Sequence, residues 1–324
     1  MLRILLVMLL LAVLGGLAGG EGEPAVRFAL ALHGGAGVIP ADTPPEEVKA
    51  HEDGLKAALE AGRRVLVAKG TALDAVEATV KSLEDNPLFN AGRGAVMNSQ
   101  GGFELDASIM DGSNQHCGAV AGVKHVKNPI VAARLVMEKT PHVLLMGSGA
   151  DEFAESMGLG PVEQNYFWTE KRYLQWKKAQ EKNRVQLDHS KGTVGAVALD
   201  MHGNLAAATS TGGMTNKRYG RCGDSPIIGA GTYANNKTCA VSCTGTGEEF
   251  IRNAAAFQVS ALMEYRGDSL ERAVKTVVHE KLKSDDGGMI AVDRQGNIVM
   301  DYSTAGMFRA CLDSTGRVQV KIWE

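Results

Sequence analysis

Three threonines in the second half of the chain have the residue type and setting of a nucleophilic site. Thr193 follows Gly192 where a polar, charged stretch changes to a strand-like run over 193–200, Thr211 ends a second such run, and Thr244 lies in a glycine-rich turn. A threonine hydroxyl is a weak nucleophile until a base removes its proton, and the amine of an N-terminal threonine is one such base. Cleavage of the Gly192–Thr193 bond would give one residue both groups.

Each threonine also has a purely structural interpretation. Threonine favours strands and glycine favours their boundaries, so Gly192–Thr193 is an ordinary start of a strand. If the runs 193–200 and 205–211 pair as a hairpin, Thr211 lies close to Thr193, but a ladder of strand threonines has the same spacing. The turn at Thr244 presents N–H groups suited to developing negative charge, and a plain helix cap shows the same pattern.

A glycine-rich loop carries an arginine and an aspartate three residues apart, Arg221 and Asp224. The guanidinium fork of arginine binds a carboxylate bidentately, and an aspartate accepts hydrogen bonds from an amine. The pair therefore suits a substrate that carries both a carboxylate and an ammonium group, although a salt bridge within the loop fits equally well.

Other catalytic signatures are not matched. His279-Glu280 is not followed by the second histidine of a zinc-protease helix, and the chain has neither a P-loop nor the glycine spacing of a dinucleotide loop. The glycines of His33–Gly37 indicate a tight turn after a strand. The 324 residues are 44% hydrophobic and 22% charged with a net charge of −3, which describes a globular protein and argues against a nucleic-acid partner.

The first residues have the pattern of a secretory signal. Met1-Leu2-Arg3 precedes an apolar run over 4–14, and small residues follow. The run is short for a membrane span, so we expect a signal peptide over 1–18, export to the periplasm or the medium, and no stable membrane insertion, with an uncleaved anchor as the alternative. The five cysteines are an odd number and indicate no disulfide framework; their pairing stays open: Cys117, Cys222, Cys239, Cys243 and Cys311.

Hydrophobic periodicity predicts helices grouped between antiparallel hairpins, which favours layered α/β packing. A polar linker of about 160–192, with a partly helical arm near 166–184, separates two halves of similar layout. Thr71 with Asp74 predicts a helix N-cap. Predicted helices cover about 44–69, 72–85, 129–138, 248–265 and 269–282. Predicted strands cover about 25–32, 95–97, 103–110, 118–123, 193–200, 205–211, 240–243, 289–293, 298–302 and 318–322.

The ordered motifs resemble the plant-type L-asparaginase and isoaspartyl-peptidase family, N-terminal-nucleophile (Ntn) hydrolases that mature by self-cleavage. The resemblance runs from about 29 to 310 and rests on HGGAG at 33–37, LEDNPLFNAGRG at 83–94, ELDASIMDG at 104–112, GTVGAVALD at 192–200, TSTGGMTNKRYGRCGDSPIIGAG at 209–231 and CTGTGE at 243–248. The end of the chain, from about 300, matches less well.

The resemblance implies a four-layer αββα sandwich, an α/β (α+β) fold of the Ntn-hydrolase type. It implies cleavage between Gly192 and Thr193 into an α subunit, 19–192, and a β subunit, 193–324, which together form one domain and assemble as an (αβ)2 homo-oligomer. Thr193 would then be the nucleophile in self-cleavage and in catalysis, oriented by Thr211.

The other roles follow from the same resemblance. Arg221 and Asp224 would hold the α-carboxylate and α-amine of the substrate, with Gly247 at the amine. Thr244 and Gly245 would form the oxyanion hole, and Asn90 would lie beside the nucleophile. No cofactor is implied for catalysis, but a structural Na⁺ would bind backbone oxygens of a loop that includes Leu83, Glu84, Asn86, Phe89, Ala91 and Arg93.

The implied substrates are small molecules, namely isoaspartyl dipeptides and L-asparagine, and their order of preference stays open. Related glycosylasparaginases share the threonine nucleophile and the Arg/Asp loop, so hydrolysis of glycosyl-asparagine is the alternative activity. A non-catalytic exported binding protein is a third interpretation, against which the three threonines argue because binding alone does not need them.

Overall fold

Two β-sheets and a set of helices make up the part of the chain that the computed structural model describes, which is residues 27–37, 40, 42–181 and 192–323. The predicted signal peptide over 1–18 and the polar stretch 182–191 lie outside the described residues. Earlier parts of the predicted linker are helical, with a short 3-10 turn at Gln164–Phe167 and a helix at Glu170–Glu181.

Twelve strands are found in the described ranges. They are β1 Ala29–Gly37, β2 Leu105–Asp111, β3 Cys117–Val123, β4 Leu144–Met146, β5 Val194–Leu199, β6 Leu205–Thr211, β7 Thr232–Ala234, β8 Cys239–Gly245, β9 Gly287–Asp293, β10 Ile298–Tyr302, β11 Gly306–Asp313 and β12 Val318–Lys321. The larger sheet has the order β12-β11-β1-β5-β6-β2-β3-β4, and the smaller has the order β10-β9-β8-β7. Only the β3–β4 pair is parallel among these strands.

Eight α-helices accompany the sheets in the same described ranges. They are α1 Pro45–Val67, α2 Ala72–Glu84, α3 Pro129–Lys139, α4 Gly147–Ser156, α5 Glu170–Glu181, α6 Gly247–Arg252, α7 Ala255–Arg266 and α8 Leu270–Thr276, the last followed by a π-helical turn at Val277–Lys281. The predicted N-cap of α2 is confirmed, since the Thr71 hydroxyl accepts from the N–H of Asp74 at 3.1 Å.

Alternate residues of the central strands belong to two hydrophobic clusters. In β1, Leu30 and Leu32 join the cluster that packs with α1, α2 and α3, whereas Ala29 and Ala31 join the cluster shared with the smaller sheet. Side chains alternate across a strand, so a strand buried on both faces is apolar at nearly every position. The fold is therefore mixed α/β, with helices on one face of the larger sheet and a second sheet facing the other.

The predicted hairpin of Thr193 and Thr211 is confirmed. Strands β5 and β6 pair antiparallel from Leu199↔Leu205 to Val194↔Ser210, which brings residue 193 beside residue 211. The predicted turn at His33–Gly37 is wrong: these residues continue β1, which pairs with β11 through a bulge between His33 and Gly35. Glycine at position 34 is required there because a Cβ would lie 2.5 Å from the Phe89 ring.

Other local features of the structure also differ from the prediction. Residues 95–97 form no strand, because loop contacts such as Asn90 Oδ1 accepting from the Val96 N–H take their hydrogen bonds. The predicted single helix 248–265 is broken into α6 and α7 at Ala254, whose φ is 44°. Strand β11, which lies beside β1 in the larger sheet, was not predicted.

Candidate active site

The β5–β6 hairpin positions the two hydroxyls that the sequence singled out. The Thr193 hydroxyl donates to Thr211 Oγ1 at 3.3 Å, and the Gly213 N–H donates to the same oxygen at 2.9 Å. Both threonines are buried. Thr211 Oγ1 therefore offers a fixed acceptor to the Thr193 hydroxyl, held by the backbone just beyond the end of β6.

Gly192 and most of the predicted site residues line one cavity. Its lining includes Asn90, Gly192, Thr193, Thr211, Arg221, Asp224 and Gly245. The cavity has a free volume of about 20 Å³, which is space for about one water molecule. With Gly192 in the lining, the space is too small for an amino-acid ligand.

The predicted pair of substrate-binding charges lies on the wall of this cavity. Arg221 is bound bidentately by Glu248, with Nε–Oε1 at 3.0 Å and Nη2–Oε2 at 2.8 Å. Asp224 is buried, and its Oδ2 has no hydrogen-bond partner among the described residues. Burial raises the pKa of Asp224 to about 7, and the Arg221 charge opposes that rise. A buried carboxylate oxygen without a partner is unfavourable, so the site favours a ligand that supplies a positive donor.

The predicted oxyanion donors lie at the end of β8. Thr244 is fully buried and its Oγ1 accepts from the Ala36 N–H at 3.2 Å. Gly245 has φ 154°, and a Cβ there would lie 2.0 Å from the Asp286 carbonyl oxygen. Only a glycine fits that approach. Thr244 is not itself among the residues that line the cavity.

Gly247 and Asn90 act on the site through packing and backbone contacts, and Asn90 also lines the cavity. A Cβ on Gly247 would lie 2.8 Å from Arg221 Nη2 and 2.9 Å from Asp224 Oδ1, so the glycine lets both charged groups pack closely. The Asn90 amide donates to the Gly213 carbonyl at 2.8 Å, and the Asn90 carbonyl accepts from the Gly212 N–H at 3.1 Å. Asn90 thereby fixes the segment that supplies the Gly213 N–H to Thr211.

The loop suggested for Na⁺ folds back on the end of α2. Gly92 has φ 49°, and a Cβ there would lie 2.4 Å from the Glu84 carbonyl oxygen, so a glycine turn brings the backbone of 91–93 beside that oxygen. Several of the six carbonyls already accept one N–H, as Leu83 does from Asn86, but a carbonyl has a second lone pair. Hard cations take oxygen ligands of this kind. Of the six carbonyls suggested for Na⁺, that of Glu84 lies beside the backbone of Gly92.

Neither a side-chain metal site nor a disulfide is found in the described ranges. No group of three or more His, Cys, Asp or Glu side chains there is arranged to hold a metal ion. All five cysteines are in these ranges and are free thiols. Within the same residues, no helix combines the length and apolar composition that a membrane crossing needs.

Two residues that contact the site were not assigned a role from the sequence. Glu248, the partner of Arg221, is predicted only as the start of a helix after the glycine-rich turn. His33 was read as part of a glycine turn, yet its Nδ1 lies 2.9 Å from the Thr193 carbonyl oxygen. No local sequence signal points to either contact, because the bonded residues are 27 and 160 positions apart.

Paired hydroxyls, an Arg/Asp pair and a glycine-rich strand end surround one cavity on a mixed α/β fold. The profile of the asparaginase family matches residues 26–322. The chain belongs to the asparaginase family, and it is an enzyme.

Individual relatives agree with this assignment. An isoaspartyl peptidase of Salmonella typhimurium is 52% identical over 88% of this chain and 95% of its own length. An isoaspartyl peptidase of Escherichia coli K12 is 51% identical over 88% of this chain and 92% of its own. A probable isoaspartyl peptidase/L-asparaginase of Arabidopsis thaliana is 42% identical over 92% of this chain and 99% of its own.

Proposed function

We propose that the chain is a self-cleaving threonine hydrolase that breaks β-aspartyl amide bonds. It would convert isoaspartyl dipeptides to L-aspartate and an amino acid, and L-asparagine to L-aspartate and ammonia. The observation that carries the proposal is the Thr193–Thr211 hydroxyl pair, 3.3 Å apart, beside Gly192 and the Arg221/Asp224 pair in one cavity. The names of the relatives support the same substrates.

Maturation begins at the bond before the nucleophile. The Thr193 hydroxyl attacks the Gly192 carbonyl carbon, and the C–N bond breaks as the acyl group moves from nitrogen to oxygen. Water then hydrolyses the ester, which leaves a carboxylate on Gly192 and a free amine on Thr193. The cut separates an α subunit ending at Gly192 from a β subunit starting at Thr193. Release of Gly192 would also open the small cavity to a substrate.

Catalysis repeats the chemistry on an external amide. The Thr193 amine takes the proton of its own hydroxyl, and the oxygen attacks the β-carbonyl of a substrate whose α-groups are bound by Arg221 and Asp224. Thr244 and Gly245 donate to the oxyanion, a contribution that is worth about 3–4 kcal/mol for one such donor in other hydrolases. The proton passes to the leaving amine, and water hydrolyses the ester to release aspartate.

The Arg221–Glu248 ion pair sets a condition on binding. A substrate α-carboxylate must share or replace Glu248 at the guanidinium, which is bound through two nitrogen atoms. The Asp224 carboxyl has one oxygen without a partner and is ready for an ammonium group. We therefore assign the amine contact to Asp224 and the carboxylate contact to Arg221, with Gly247 leaving room for both.

The architecture and assembly proposed for the mature enzyme extend beyond the described contacts. We propose the αββα order of four layers, with the helices α1 to α3 outside the larger sheet and α7 and α8 outside the smaller, and an (αβ)2 assembly. A Na⁺ held by the backbone oxygens near Gly92 would brace the loop that carries Asn90, and no step of the reaction runs through it. Export through a signal peptide over 1–18 is also proposed.

The function is tested with purified wild-type and Thr193→Ala protein. Release of ammonia from L-asparagine and of leucine from β-Asp-Leu by the wild type, absent from the variant, supports the proposal. Turnover of a glycosyl-asparagine in preference to both would instead indicate the glycosylasparaginase activity. Binding of aspartate without turnover of any of the three would indicate an exported binding protein.

A further inference from the structure

A buried histidine holds the residue that carries the nucleophile. His33 is fully buried in β1, and its Nδ1 lies 2.9 Å from the carbonyl oxygen of Thr193. The pairing of β1 with β5 ends at His33↔Gly195, so Thr193 lies beyond that ladder. The side chain of His33 therefore provides an anchor for Thr193 where the backbone pairing with β1 has stopped.

Hydrogen-bond chemistry assigns the proton on the ring. A carbonyl oxygen only accepts, so Nδ1 must carry the proton that binds Thr193. Burial lowers the pKa of His33 to about 3, which keeps the ring neutral near pH 7 and leaves Nε2 as an acceptor. Ser242 Oγ lies 3.0 Å from Nε2 and must therefore be the donor of that bond.

The Ser242 hydroxyl is the first of four buried hydroxyls that are hydrogen-bonded in series between the two sheets. Ser242 Oγ lies 2.7 Å from Thr209 Oγ1, Thr232 Oγ1 donates to Thr209 at 2.6 Å, and Ser108 Oγ lies 2.8 Å from Thr232 Oγ1. All four hydroxyl residues are fully buried. Since Ser242 gives its proton to Nε2, Thr209 must donate to Ser242 and Thr232 must donate to Thr209. The single Ser108 proton is shared between Thr232 Oγ1 and a backbone carbonyl.

The last hydroxyl of this series, that of Ser108, lies at the loop that carries Arg221 and Asp224. Ser108 Oγ is 2.6 Å from the carbonyl oxygen of Ser225, the residue after Asp224. The network thus connects the backbone beside Asp224 with the backbone of Thr193 through groups that make no contact with solvent. It is placed to hold Thr193 at a fixed position relative to the substrate-binding loop.

We propose that His33 is a positioning residue for Thr193, acting through Nδ1–H on the Thr193 carbonyl, and that the hydroxyls of Ser242, Thr209, Thr232 and Ser108 fix its ring. The inference rests on the proposed function. Once the bond to Gly192 is cut, Thr193 has no preceding residue, and its amine and hydroxyl swing together about the Cα–C bond. The protein holds Thr193 at its hydroxyl through Thr211 and at its carbonyl through His33, and displacement of about 1 Å costs about 100-fold in rate.

Two substitutions separate the two nitrogen atoms of the ring. Asparagine places an amide nitrogen near Nδ1, and glutamine places one near Nε2, so His33→Asn keeps the donor to Thr193 and His33→Gln loses it. For L-asparagine turnover we expect His33→Gln to lower kcat about 100-fold, with KM little changed because Arg221 and Asp224 are intact. His33→Asn loses only the Ser242 bond and stays within about tenfold of the wild type.

A second buried histidine provides the control. His51 is also buried, and its Nδ1 bonds to a backbone carbonyl, Glu47, at 2.7 Å, within α1. His51→Gln should leave kcat unchanged while thermal unfolding reports any loss of stability. Equal kcat for His33→Asn and His33→Gln, or a loss confined to KM, would overturn the proposal.

Two further readouts keep the test decisive. If the His33→Gln protein does not cleave itself, its kcat cannot be measured. The self-cleavage rates of the His33→Asn and His33→Gln precursors are then compared, and His33→Asn must cleave itself faster. Histidine ¹⁵N spectra at pH 7, assigned by the signal that His33→Asn removes, should show Nδ1 protonated and Nε2 bare; the reverse would refute the assignment. A wild type that neither cuts itself nor releases ammonia contradicts the proposed function rather than the role of His33.

Discussion

Replacing Thr211 by valine removes one hydroxyl and almost no volume, so it isolates the contact between the two site threonines. Thr211 Oγ1 accepts from the Thr193 hydroxyl at 3.3 Å and from the Gly213 N–H at 2.9 Å, and valine accepts from neither. The unpaired N–H lowers the free energy of unfolding by about 1–3 kcal/mol. Loss of the hydrogen-bond acceptor that orients the nucleophile lowers kcat by about 100-fold, about 2.7 kcal/mol of barrier.

The assay follows ammonia release from L-asparagine together with the appearance of the β-subunit band on a denaturing gel. Thr211→Ser keeps the oxygen and serves as the matched control, which we expect to cut itself and to turn over substrate at a rate much nearer to that of the wild type. A Thr211→Val protein that matures fully and turns over within about threefold of the wild type would refute the role assigned to this hydroxyl, since its acceptor contribution would then be negligible.

Three other outcomes are expected. Thr193→Ala should remain a single full-length chain and release no ammonia, as seen on the gel and in a coupled assay; retained turnover would place the nucleophile elsewhere. In the proposed mechanism ionised Asp224 binds the ammonium group, and its pKa is about 7, so kcat/KM should rise between about pH 5 and about pH 8. An α-amine such as that of Thr193 loses its proton near the upper end of this window. Asp224→Asn should therefore remove the lower part of the rise and leave the part that belongs to the amine. Burial raises the pKa of Glu84 from 4.5 to about 8, so the stability that this carboxyl contributes is complete below its unfolded pKa and is lost as the pH rises towards about 8. Chemical denaturation should show that the free energy of unfolding falls less steeply with pH in Glu84→Gln than in the wild type across that window. An equal slope in the two proteins would contradict the buried, protonated carboxyl.

Features governed by local physics were predictable from the sequence. The cap at Thr71 depends on residues three positions apart, and the β5–β6 hairpin depends on two strands joined by a short turn. The proximity of Thr193 and Thr211 follows from that hairpin alone. The chemical interpretation of these hydroxyls needed the family resemblance, because a strand of threonines has the same local pattern.

Features governed by distant contacts were not predictable. Strand β11 pairs with β1 across most of the chain, and no local pattern specifies that partner. The break at Ala254 lies in a run of good helix formers, but the N–H groups of Ala256 and Phe257 donate to the carbonyls of Ala230 and Gly229, which fixes a new helix start. The contacts of His33 with Thr193 and Ser242 arise in the same way.

The central claim is that the bond between Gly192 and Thr193 cuts itself to create the nucleophile, and N-terminal sequencing of the smaller fragment tests it most directly. Purified protein is incubated without added protease, and both bands are sequenced and weighed by intact mass spectrometry. The account predicts a fragment that begins Thr-Val-Gly-Ala-Val and ends at the C-terminus, formed by the wild type but not by Thr193→Ala. A chain that stays intact, or a fragment that begins at any other residue, would contradict it.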